Sequence, residues 1–434
     1  MTAPFTIRSI GFAFAGNPGL IPLRDPATQR FLGDPPEWDA AAPDQAKPAG
    51  FVRGSRPQVQ VWFGRDPTTG PVPGTCWRIG ARGSEGPGIA EQELTLEFDA
   101  TGRSGPHRFT LDAPLPPRIG VCRPAWSWYA ASPGGDASLA ITRHEFLLAW
   151  RPPIAPAVWA TLQEPRDGPP DDPAAAWTWL PILRWTSEWA ADQDDEERIC
   201  DAIFAGLPSS GLRYAVAAWN VLAMLQKGGG YCGGWFRLFQ AMAGAHGITL
   251  DRRFMAVDWR EESDQQARWC AIVVEAPGLN RNEPEEDASA FHDCDERPLG
   301  TSPVRTRHQR RYRFWGSPGK VFDGHCLNFL RSRGRWILYD PSFLIRAELT
   351  GFTLPPSDRS RRVPVEALGD FKEQYLDRAM RFMLGSLHHG HRLYRTIHPD
   401  PNAPDFHAGR TRNGLTVETA LIEKRDAVIT FYWL

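Results

Sequence analysis

Apolar and polar positions along the first part of the chain alternate in short runs, "VQVWFG", "ELTLEF", "HRFTL" and "EFLLAW", each bounded by Gly, Pro or Asp. In "ELTLEF", Leu94, Leu96 and Phe98 fall on one side while Glu93, Thr95 and Glu97 fall on the other, the pattern of a half-buried strand. Several such strands predict a β-sandwich over residues 1–165. The Pro/Ala-rich stretch Pro35–Gly50 reads as a surface excursion, and "QEPRDGPPDDPAAAW" (Gln163–Trp177) reads as a linker between two domains.

From about Trp177 the period becomes helical. Asp194 with Glu197 forms a capping box ahead of Ile199, Ala202, Ile203 and Leu207, which share a face. A second helix is predicted over Tyr214–Gln226 and is ended by Gly228–Gly230, since glycine tolerates positive φ. A third begins at or just after Cys232, with Trp235, Leu238, Phe239 and Met242 at i, i+3, i+4 and i+7, and closes at Gly247. Strand-like runs "RFMAVDW" and "RWCAIVVEA" follow, then a long polar insertion, then a hairpin in "VFDGHCLNFLRSRGRWILYDPSF". A helical "DFKEQYLDRAMRFMLGSL" and a final strand pair near "LTVETALIEKRDAVITFYWL" complete a second domain over residues 175–434. The fold class is α+β.

The length of 434 residues fits two or three domains of roughly 150 residues. A formal net charge of -2, with 23% charged residues, calls for neither nucleic acid nor a membrane surface as partner. The first residues lack a basic start followed by an apolar core, and no run reaches the ~18 apolar residues of a membrane span, so a cytoplasmic protein is expected. Seven scattered cysteines, an odd number, point to thiols rather than a disulfide framework.

Chemistry concentrates on "KGGGYCGGWFRLFQAMAGAHGI". A cysteine at a helix N-terminus meets first-turn amides and the positive end of the helix dipole, which favour the nucleophilic thiolate. Gly233 and Gly234 leave the backbone bare for a substrate carbonyl. The competing reading packs Cys232 as a small core residue beneath its helix. In the hairpin, a symmetric four-residue connection "RSRG" sets His325 directly opposite Asp340, close enough for the carboxylate to accept from one ring nitrogen and leave the other for a thiol. A bulge at Gly334 shifts that register by one, and a His–Asp pair without catalytic role is the plainer alternative.

Cys232 at a helix start, His325 on a strand and Asp340–Pro341 on the next strand together resemble the transglutaminase-like superfamily of papain-fold enzymes. The likeness runs from Trp177 to Phe343 and includes the "G-Y-C" lead-in, the "AMAGAHGI" exit, H-x-x-N at His325 and Asn328, and W-x-x-x-D-P at Trp336–Pro341. It implies a transglutaminase-like α+β domain in which Cys232 is the nucleophile, His325 the general base and then acid, and Asp340 the support of the imidazolium. For the oxyanion it implies the Cys232 N–H together with Gln226, by likeness to papain-like proteases, or Trp219, by likeness to some transglutaminases. The chain departs from many relatives in having Gly233 and Gly234 where an aromatic or Asp is common, and Leu327 where Trp is common.

Other features add little. The basic run Arg305–Phe314 reads as a solvated loop, balanced by the acidic stretch before it. "HHGH" with His398, and the pair His292 and Cys294, lack the paired spacing of a structural zinc site, so neither metal nor cofactor is expected. The 18 tryptophans read as core. The expected chemistry is thiol acyl transfer through a thioester, as hydrolysis of a peptide or glutamine-like amide in a peptide or protein substrate. Amine-dependent cross-linking is the alternative within enzymes, and a binding scaffold that keeps the fold is the alternative outside them.

Overall fold

The computed structural model describes residues 4–14, 16–17, 19–33, 37–65, 76–132, 135–214, 218–259, 268–274, 320–322, 324–356, 362–389, 406–408, 415–422 and 424–433. The chain is α+β. It divides into two compact units, one of Met1–Ser210, Asn220–Gln226 and Arg237–Thr249, the other of Gly211–Trp219, Lys227–Phe236 and Leu250–Leu434. This partition differs from the predicted 1–165 and 175–434.

Where the alternating runs predict a sandwich, the first unit builds three four-stranded sheets around one core. In Gln58–Gly64, Val59, Val61 and Phe63 are buried while Gln58 is exposed, as the period-two pattern requires. Phe146–Ala149 is buried throughout, because the helix Leu180–Trp189 packs on it and Ser187 Oγ donates to the Leu148 carbonyl at 3.3 Å. The Pro/Asp-rich stretch 163–177 is no interdomain linker. Glu164 is buried and accepts from the backbone amides of Thr161 and Leu222, both at 2.9 Å. Trp177 is buried against Trp159, Trp179 and the Arg24 guanidinium, and Thr178–Trp179 pairs with Leu23–Arg24. The buried Glu164 carboxylate and the buried Trp177 ring outweigh the exposed character of the prolines and aspartates between them.

Local signals also move element ends. The helix Glu196–Gly206 is capped by Asp195, whose side chain accepts from the Arg198 amide at 3.0 Å, one residue later than the predicted box. The predicted helix Tyr214–Gln226 is only Val221–Lys227. Asn220 starts it, with Oδ1 accepting from the Ala223 amide at 2.7 Å, because asparagine competes with helix continuation and favours the cap. Upstream, Arg213–Tyr214 is extended and pairs in parallel with Gly229–Gly230. A Cβ at Gly229 would collide with the Arg213 carbonyl, so the glycine triplet serves this close pairing as well as the turn.

The second unit holds an antiparallel six-stranded sheet in the order Ile345–Leu349, Arg335–Asp340, Gly324–Ser332, Asp251–Trp259, Ala427–Trp433, Val363–Pro364. The core of this unit gathers Met255, Leu327, Phe329, Leu338 and Phe431 from the sheet with Phe343, Phe371 and Tyr375 from outside it. A five-stranded sheet follows the order Lys320–Phe322, Arg268–Val274, Met380–His389, Leu415–Ile422, Phe406–Ala408. The hairpin differs from its expected form in two ways. Lys320–Phe322 belongs to the other sheet, and the connection is the two residues Arg333 and Gly334, at φ 49° and 82°, with Ser332 paired to Arg335. Positive φ at both central residues is the two-residue turn that matches strand twist. The predicted helix through "DFKEQYLDRAMRFMLGSL" ends at Ala379, after a π-helical turn Lys372–Leu376, and Met380 opens a strand. The two final strands exist but pair in different sheets. Residues 305–314, His292, Cys294 and His398 lie outside the described residues.

Candidate active site

Cys232 is the first residue of the helix Cys232–Ala245, and the amides of Gly234 and Trp235 turn back to the Tyr231 carbonyl at 2.9 and 3.0 Å. Tyr231 is itself anchored by its amide donating to the Ala218 carbonyl at 3.1 Å. The helix then buries Trp235, Leu238, Phe239 and Met242, the apolar stripe read from the sequence. Its start is also tied to the strand Gly324–Ser332, since Asn328 Nδ2 donates to the Phe236 carbonyl at 3.4 Å.

On that strand His325 is fully buried, and its Nε2 lies 2.8 Å from Asp340 Oδ2. The Asp–Pro turn fixes both partners. Asp340 Oδ1 accepts from the amides of Ser342 and Phe343 at 3.0 and 3.2 Å, which closes the turn over Pro341. The same turn lays the Phe343 ring flat on the His325 ring, with centroids 4.2 Å apart and planes 1° from parallel. His325 and Asp340 are not direct cross-strand partners. The ladder pairs Asn328 with Tyr339, two positions off the predicted register, so the two side chains meet along a diagonal of one face.

The His325 and Cys326 side chains both act on the Cys232 sulfur. The Cys326 contact, together with the hydrogen bond and charge of His325, draws the Cys232 thiol well below its ordinary value, against burial and the Asp340 charge. Burial opposes a charged His325, but the Asp340 carboxylate and the Cys232 sulfur outweigh it and push the imidazole up to about 10. The favoured state of the pair is therefore thiolate and imidazolium.

Two contributors escape the sequence reading. Tyr375, fully buried on the π-helical turn, donates its hydroxyl to Asp340 Oδ2 at 2.7 Å. Its position in a mostly charged and polar stretch, between Gln374 and Leu376, gives no local sign of that role. Cys326 sits next to His325 in the sequence, but nothing local sets it apart among seven scattered thiols. Cys76, Cys122, Cys200, Cys232 and Cys326 are not disulfide-bonded.

Cys232, His325 and Asp340 thus come together in one unit. The oxyanion residues do not join them in the same way. Gln226 Nε2 donates to the Pro26 carbonyl at 2.8 Å. Trp219 is 50% exposed, precedes the Asn220 cap and packs on the Tyr231 ring at 5.6 Å. Among the described residues no helix is long and apolar enough to cross a membrane. In comparisons with known proteins, no family model and no curated protein matches the chain.

Proposed function

We propose that the second unit is a transglutaminase-like thiol acyltransferase acting on amides, with Cys232 as nucleophile. The observation that carries this reading is the buried His325 imidazole held by the Asp340 carboxylate at 2.8 Å, with the Cys232 sulfur under the influence of both. The thiolate attacks the substrate carbonyl carbon, and the C=O electron pair moves onto oxygen. The Cys232 amide, at the positive end of its helix, is the oxyanion donor the chain itself supplies. Collapse of the tetrahedral intermediate expels the amine, which takes the His325 proton, and leaves a thioester on Cys232. Neutral His325 then draws a proton from water, which attacks the thioester and releases a carboxylic acid.

Hydrolysis of a peptide or glutamine-like amide is the favoured outcome, because Gly233 and Gly234 put no side chain beside the buried Cys232 in the first helical turn, which suits a nucleophile as small as water. The test is a thiol-directed activity probe followed by an amide and peptide library, with Cys232→Ala as control. Labelling at Cys232 with turnover that the variant lacks supports the proposal. Turnover unchanged in Cys232→Ala, or Cys232 unlabelled with no turnover, removes it in favour of a scaffold.

A further inference from the structure

We infer that Tyr375 is a positioning residue that tempers the hold of Asp340 on the His325 imidazolium, an inference that rests on reading Cys232, His325 and Asp340 as a catalytic triad. Four donors converge on the Asp340 carboxylate. The amides of Ser342 and Phe343 take Oδ1 at 3.0 and 3.2 Å, while His325 Nε2 and Tyr375 Oη share Oδ2 at 2.8 and 2.7 Å. A carboxylate offers about four lone-pair sites, so this one is filled. Two donors on one oxygen compete: each draws electron density that the other would otherwise receive. The phenol therefore reduces how strongly Asp340 stabilises charge on His325 while it pins the carboxylate in place.

Packing alone does not require the hydroxyl. Tyr375 is fully buried beside Phe371, with ring centroids 5.3 Å apart, and a phenylalanine would fill the same space. The hydroxyl instead needs a buried acceptor, and Asp340 Oδ2 is the one it has. Burial and the Asp340 charge hold the phenol proton on, well above the ordinary tyrosine value, so Tyr375 is a donor across working pH. The backbone beneath it is a π-helical turn, a rare geometry that recurs at functional sites. The titratable groups facing the Cys232–His325 pair are Cys326 and Asp340, with Tyr375 behind the carboxylate.

The experiment is a pH titration of the His325 imidazole by NMR in the full-length protein, alongside thermal unfolding. Tyr375→Phe should move the His325 midpoint upward by roughly half a unit to one unit, since Asp340 Oδ2 loses a competing donor. Labelling the protein with 3-fluorotyrosine, which keeps the fold and makes the phenol a stronger donor, should move the same midpoint down. An unmoved midpoint in both samples, with only a lowered melting temperature in Tyr375→Phe, would make the hydroxyl structural and overturn the inference. A parent His325 that titrates near an ordinary histidine would instead overturn the triad itself, and that outcome is read before any change at Tyr375.

Discussion

His325 and Asp340 meet on a diagonal, with Nε2 and Oδ2 2.8 Å apart across a hairpin that sets Asn328 opposite Tyr339. Diagonal neighbours on one face are roughly 7–8 Å apart at the backbone, a span that an imidazole and a carboxylate bridge by leaning toward each other. A shift of two keeps both side chains on the same face, whereas a shift of one would separate them. Asp340→Asn keeps the size and the turn acceptor but removes the charge behind His325. Amide turnover should fall by about 10²–10⁴-fold. The His325 midpoint should drop from about 10 toward the ordinary histidine range. A turnover change under threefold would show that Asp340 shapes the turn and nothing more.

The charge state of the pair fixes a pH dependence. Cys232 ionises well below 9.0 and His325 loses its proton only at about 10, and the two titrate as a coupled pair. Alkylation of Cys232 by iodoacetamide should therefore already be fast at neutral pH. It should outrun Cys200, whose thiol is pushed up by burial, by at least about tenfold. For folding, the pair's stabilisation is level between 6.5 and 9.0, the ordinary values of the two groups, because folded and unfolded chains then hold one proton each. It declines as pH rises from 9.0 through about 10, where the folded imidazolium is still protonated and the unfolded chain is not. It declines again below 6.5, where the unfolded histidine takes up a proton that the folded thiolate–imidazolium pair does not, and the decline ends once the folded thiolate is itself protonated. Denaturant melts at four pH values, compared with Cys232→Ala, read these two limbs.

Cys326 is the first influence that lowers the Cys232 thiol, ahead of His325. Cys326→Ala removes that donor with little change in volume. The rate of Cys232 alkylation at pH 6 should fall several-fold, while the rate well above the thiol's ordinary range stays the same. Equal rates for parent and variant across the whole pH range would remove Cys326 from the site.

Cys232, His325 and Asp340 were legible because each sits on a strong local signal: a glycine-flanked helix start, an apolar strand, and an Asp–Pro turn. The exact register was not, since "RSRG" closes as a two-residue turn only by holding Arg333 at a positive φ, which a non-glycine side chain seldom adopts. The helix over Tyr214–Gln226 was overextended because Asn220, a cap by its side chain, lies inside an apolar run. Tyr375 was out of reach altogether. It lies 35 residues from Asp340 in the chain, and its hydroxyl finds the carboxylate only through tertiary packing. Composition misled at 163–177, where Glu164 and Trp177 override the residues between them.

That last region carries a stability prediction. Glu164→Ala strips the acceptor from the half-buried Thr161 amide and the buried Leu222 amide, the second of which lies in the first turn of the helix Val221–Lys227. Leaving a buried donor unsatisfied costs about 1–3 kcal/mol, so the variant should unfold at clearly lower denaturant. Trypsin should spare the neighbouring Arg166 in the parent and cut there in Glu164→Ala. Equal cleavage in the two proteins would mean that the stretch is held by Trp177 alone.

The fate of the thioester separates the two enzyme readings. Both pass through acyl-Cys232, and both should be abolished by Cys232→Ala. They diverge when a second nucleophile arrives: a transferase shields the thioester from water and admits an amine, while a hydrolase leaves an open approach. Gly233 and Gly234 place no side chain beside the sulfur in the first helical turn, while Cys232 itself is buried. Water, smaller than any amine and present at far higher concentration, should win at such a site. With a primary amine added at about 1–10 mM, a concentration that spans and exceeds common substrate constants, mass spectrometry should find mainly the free acid and little amide adduct. Predominant adduct at the lower end of that range would assign the site to transamidation, with the same nucleophile and a different second substrate.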